Sequence, residues 1–195
     1  MQCLANAVRG VAVSLAMFGG LVGCGTTVGG TQTLDASPAD PASECLGAHQ
    51  LVTRFDPLAL YKSAARCVAQ GRLDDAVFLY GIAGSEGRFD TMRVVDTTAH
   101  QVTYFMSVMF TKGAGEEAAS RFSDHMRAQL SSDETRKASC RRLEMQPPPS
   151  YHPGYMIGHG MGAFVQRGAN DGLEPLADPR VSWKTAIRQY MDCGL

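Results

Sequence analysis

The chain has 195 residues, 45% hydrophobic, 19% charged and 8% aromatic, the proportions of one ordinary globular domain. Its net charge is −1, with no basic stripe of the kind that supplies a nucleic-acid binder's affinity, so nucleic acid is excluded as a partner. The one dense basic cluster, Arg136, Lys137, Arg141 and Arg142, reads as a solvated helix face.

Arg9 ends a weakly basic start, and an apolar run of small residues follows from Gly10 to Val22. That run is too short to span a hydrocarbon core of roughly 30 Å and has no charged stop after it, so it reads as the apolar part of a secretory signal. Leu21-Val22-Gly23-Cys24 comes next: an aliphatic residue three before a cysteine and a small residue one before it. This resembles the lipobox of bacterial lipoproteins. The resemblance implies that residues 1–23 are removed and that Cys24 is diacylated. It therefore implies attachment to a membrane through lipid, which two acyl chains make stable. Gly25, where an aspartate would signal retention in the inner membrane, implies the outer membrane with the domain facing the periplasm. Thr26 to Ser43 is rich in Gly, Thr, Ser, Ala, Pro and Asp and nearly free of large apolar side chains, so 24–43 is expected to be a flexible tether. Residues 44–195 are expected to form a single domain.

Of six cysteines, Cys3 leaves with the leader and Cys24 carries lipid, which leaves Cys45, Cys67, Cys140 and Cys193. An even number in an oxidising compartment predicts two disulfides with three possible pairings. Zinc is the competing use, but no ligand spacing such as C-x-x-C occurs, and no metal or cofactor is expected. The favoured pairing is Cys45–Cys67, pinning the tether's end to the first helix, with Cys140–Cys193 pinning the last helix.

Asp56-Pro57 is a helix start, and Leu60, Ala64, Cys67 and Val68 recur at helical spacing up to Gly71, a natural terminator. Leu73, Ala76, Val77, Tyr80 and Ala83 mark one face of a second helix, which so short a turn must fold back antiparallel on the first. This hairpin, through Gly71, Leu73, Ala76, Tyr80 and Ala83, resembles a tetratricopeptide or Sel1-type repeat, although Arg88 stands where that family usually has proline. A third helix is expected after Asp90, with Val95, Ala99, Val102, Met106 and Met109 along one side. A fourth runs from about Gly115 to Leu130, burying Ala118, Phe122, Met126 and Leu130. Ser131-Ser132-Asp133 caps a fifth that carries Ala138 and Leu143. Pro147-Pro148-Pro149 stops it. A last helix from about Val181 to Met191 places Trp183, Ile187 and Tyr190 or Met191 on one side. The fold class is all-α: antiparallel helix hairpins, five to six helices, stapled by disulfides.

Catalytic constellations are sparse. Ala83-Gly84-Ser85-Glu86-Gly87 falls close to the G-x-S-x-G nucleophile elbow, but an elbow needs a strand before the serine, and the stripe here continues a helix. The histidines His49, His100, His125, His152 and His159 match no zinc template. His100, one helical turn from Asp96, reads as a satisfied pair. The chain reads as a non-enzyme. Tyr151 to Gly162, rich in Gly, Tyr, Met and His, is equally compatible with a binding epitope or a loop closing the core. A partner-binding epitope would use Tyr151, His152, Tyr155, Met156 and His159 together with Arg88, Asp90 and Arg93.

As a whole, the chain resembles small helical lipoproteins that act as immunity proteins against secreted antibacterial effectors. That resemblance implies a cognate toxin as protein partner. The alternative is a pilotin-like lipoprotein that escorts a secretion or pilus component.

Overall fold

Asp56 opens the first helix because its carboxylate accepts from the Ala59 amide at 2.8 Å, while Pro57 surrenders an amide that would have had no partner. In a computed structural model that describes residues 43–47, 50, 52–164 and 171–193, this helix, α1, covers Pro57–Ala69. The chain reverses at Gly71, which takes a left-handed φ of 72°, and returns as α2, Leu73–Asp90. There follow a 3₁₀ turn, Thr97–Gln101; α3, Val102–Ala114; α4, Glu116–Gln129; α5, Asp133–Glu144; the single turn α6, Gly154–Ile157; and α7, Pro179–Met191. The architecture is all-α. Among the described residues no strand forms, and the nearest approach is one antiparallel bridge between Val94 and Leu173.

α2 is the axis of the fold. It packs chiefly against α1 and α7, with α3, α4 and α5 closing around it. From Ala76 to Asp90, only Tyr80 and Arg88 escape burial, as expected of a helix enclosed on every side. Leu60, Ala64 and Cys67 of α1 meet Leu79, Ile82 and Ala83 of α2, and Trp183 and Ile187 of α7 cover the opposite face. The Trp183 indole N–H is satisfied by the Gln146 carbonyl at 3.0 Å. The Gln146 side chain in turn accepts from the Val52 amide and donates to the Gln50 carbonyl. One buried glutamine thereby ties the end of α5 to the segment before α1.

Both disulfides form with the expected pairing, Cys45–Cys67 and Cys140–Cys193. The first is reinforced by Ser63, fully buried, whose hydroxyl donates to the Glu44 carbonyl and accepts from the Leu46 amide. The second joins α5 to the residue just past α7.

The third helix differs from its expected span. Residues 91–96 are not helical: Asp96 accepts from the Thr98 amide and starts the 3₁₀ turn, so α3 begins only at Val102. That offset rotates the buried face to Val102, Met106 and Phe110 and leaves Val95 and Met109 exposed. Ala138 is likewise exposed, and α5 buries Cys140 and Leu143 instead. The leader, Cys3, Cys24, the tether up to residue 42 and His49 lie outside the described residues.

Candidate functional site

The two stretches singled out as an epitope meet each other rather than solvent. Asp90, at the end of α2, is fully buried. Its Oδ1 accepts from Arg93 Nε at 2.7 Å, and its Oδ2 accepts from both Tyr151 and Tyr155 hydroxyls at 2.8 Å. Arg93 also donates to the Tyr151 carbonyl and lies over the rings of Phe89 and Tyr151. Burial pushes the Asp90 carboxyl up, and Arg93 and the two phenols pull it back. Every member of this network is satisfied, which makes it a clamp that fastens the Tyr151–Gly162 loop to α2. Met156 is buried beneath it with Val94, Ala99 and Val102. Of the remaining candidates, His152 and His159 are exposed on the loop's outer side, and Arg88 is exposed elsewhere on α2.

His100 does not pair with Asp96 as the spacing implied. Its Nε2 lies 3.0 Å from the Val94 carbonyl, while Asp96 accepts from the Gly162 amide and from Thr98. Ser85 sits in mid-helix with no strand before it, and its hydroxyl is buried without a partner, so the near-elbow is not built as one.

Glu86, the next residue, is wholly buried, and neither carboxyl oxygen has a hydrogen-bond partner. Desolvation first, then the nearby carboxyls of Asp90 and Asp56, hold it well above the ordinary carboxylate range. It belongs to the core as a neutral acid.

The open chemistry of the described surface lies around α3. A cleft of about 460 Å³ runs between α2, α3 and the end of α7. Its floor and walls include Tyr61, Tyr80, Tyr104 and Tyr190, with Gly84 and Gly87 beneath. Tyr190 fits only because position 84 is glycine: a Cβ there would stand 1.8 Å from the ring. Burial foremost, then the neighbouring phenol of Tyr190, holds the Tyr61 phenol up, so the hydroxyl keeps its proton and can both donate and accept. The only two incompletely buried residues in the inner stretch of α2, Tyr80 and Arg88, both open into this cleft. Arg88 is held at the rim by Gln189 of α7 at 2.7 Å and by Thr91, and it has no carboxylate partner among the described residues.

On the outer face of α3, Tyr104, Phe105 and Met109 are 69%, 58% and 51% exposed. Smaller clefts flank this ridge, one with Lys62 and Arg66 beside Met109, the other with His159 and Met161 beside Phe105. None of these three clefts is lined by a carboxylate among the described residues; their basic side chains are Arg88, His100, Lys62, Arg66 and His159.

Sequence reasoning placed Arg88 in an epitope with Asp90 and Arg93 and did not name its cleft neighbours as a site. Tyr80 and Tyr190 read as stripe residues, and Tyr104 and Phe105 lie off the stripe assigned to the third helix. The available signal was Thr103 and Ser107, four apart on α3, matching Gly84 and Gly87–Arg88 on α2. No family model, curated protein or solved structure matches the chain.

Proposed function

We propose that this chain is a lipid-anchored lipoprotein of the outer membrane, facing the periplasm, that binds a protein partner as an immunity protein against a secreted envelope-targeting effector. The observation that carries the binding part is the exposed ridge of Tyr104, Phe105 and Met109, rimmed by cations and without lining carboxylates. Isolated exposed apolar residues are ordinary, but an adjacent aromatic pair with a methionine on one helix, flanked by Arg and Lys, has the composition of an interface core. Its complement on the partner is apolar with an acidic rim. A lipid anchor at Cys24 would concentrate the inhibitor at the surface where an effector enters, and the two disulfides suit an oxidising compartment.

The test is capture from cells that carry the whole gene neighbourhood, followed by competition between siblings. The full chain should retain an effector, and its deletion should make cells sensitive to their siblings. Phe105→Asp with Met109→Asp should abolish capture while the melting temperature holds. Capture of a secretin or pilus subunit instead, with no sensitivity on deletion, would replace this reading with the assembly role.

A further inference from the structure

We infer that the tyrosine cleft between α2, α3 and α7 is a binding site for a short carboxylated sugar, of disaccharide size. Its volume of about 460 Å³ lies in the range of small-molecule sites. Tyr80, Tyr104 and Tyr190 supply aromatic surface on which the C–H face of a pyranose can rest, with Tyr61 buried behind them. Hydroxyls determine the rest of the chemistry. Thr103 donates to the His100 carbonyl at 2.9 Å and Ser107 to the Tyr104 carbonyl at 2.7 Å. Each hydroxyl has thus committed its only proton to the helix and keeps acceptor lone pairs. A ligand with O–H donors can meet them, which a polyol does and a hydrocarbon or simple aromatic does not.

Arg88 selects the charge. Two of its N–H groups are engaged, by Gln189 and Thr91, so the guanidinium is held in place with donors to spare. No carboxylate lines the cleft to compete for it. A fixed guanidinium without a carboxylate partner, beside an aromatic wall, favours a carboxylate on the ligand, through charge-assisted hydrogen bonds. The cleft shares Tyr104 with the docking ridge but is tested apart from it, because its probes are sugars and require no protein partner.

The test is a titration of the full chain, followed by calorimetry or NMR shifts, with cellobiouronic acid and cellobiose, which differ by one carboxylate. The acid should bind saturably and the neutral sugar about tenfold more weakly, the loss of one charge-assisted contact. Arg88→Gln should erase that difference, Tyr104→Ala should weaken both sugars, and Lys137→Gln, exposed on α5 outside the cleft, should change neither. A parallel arm with N-acetylglucosaminyl-N-acetylmuramic acid tells cell-wall glycan from uronic polysaccharide by which acid binds more tightly. Equal affinity for acid and neutral sugar overturns the inference, as does no saturation with any disaccharide. So does indole-3-propionate binding as tightly as the acidic sugars, since that would make the hydroxyls irrelevant.

Discussion

Glu86 shows how one side chain sets a pH dependence for the whole molecule. Its folded-state pKa lies well above the ordinary 4.5 because burial and two nearby carboxyls disfavour the anion. The folded form therefore keeps a proton that the unfolded chain releases. Stability from this group is fully present below the ordinary value and is lost as pH rises toward the folded one. Glu86→Gln should remove that slope and make the variant less destabilised than the parent at the alkaline end, because the amide needs no proton taken up on folding. Denaturant titrations at pH 5 and pH 8 check it: the variant's midpoint should move less between the two than that of the parent. Gly84 sets a steric requirement of similar size. Gly84→Ala cannot keep Tyr190 where it is, so it should cost about 1–3 kcal/mol through overpacking and open the cleft floor. A lowered melting temperature with increased Tyr190 reactivity toward iodination is the expected result.

At the scale of elements, two devices attach segments that have little apolar surface of their own. The Asp90 network holds the loop that contains α6. Asp90→Asn leaves Arg93 without its anionic partner in a mostly buried site, and should cost about 3–5 kcal/mol. Hydrogen exchange should show the loss first over residues 151–164, with α1 and α2 following only in global unfolding. The Cys140–Cys193 bond does the same for α5, fastening it to the residues that follow the well-packed α7. Replacing both cysteines with serine should cost about 2–4 kcal/mol, and Trp183, bonded to Gln146 past the end of α5, should report α5 loosening by fluorescence before far-ultraviolet dichroism reports loss of helix. The reason for the staple lies in composition: α5 is strongly charged and buries only Cys140 and Leu143, so packing alone attaches it weakly.

For the whole molecule, the proposed address and the proposed surfaces are separable. No described helix is long and apolar enough to cross a membrane. On the lipoprotein reading, Cys24→Ser should move the protein from the membrane fraction to the soluble one. Retention in the membrane fraction would remove the anchor while leaving the cleft and the ridge to be judged by their own tests.

The helices of this protein were legible because capping and periodicity are local. Asp56-Pro57 and Ser132 start helices through bonds within one turn, and an apolar stripe declares much of a helix's buried side; the Asp178-Pro179 start of α7, two residues before the expected Val181, went unread. Of the three possible disulfide pairings the favoured one forms, but Cys140 and Cys193 lie 53 residues apart, and it is the packing of α7 on α5 that brings them together. What local pattern could not supply was rotation and meeting. Asp96 delays α3 by a 3₁₀ turn, which exposes Met109 and buries Phe110. Local pattern left the Tyr151–Gly162 stretch equally compatible with an epitope and a core-closing loop, and folding decides for the loop by bringing Asp90, Tyr151 and Tyr155 together with enough mutual hydrogen bonds to be buried. The cleft joins residues from α1, α2, α3 and α7. Its shape depends on a glycine that accepts a ring more than a hundred residues away, a steric condition that exists only once the helices are packed.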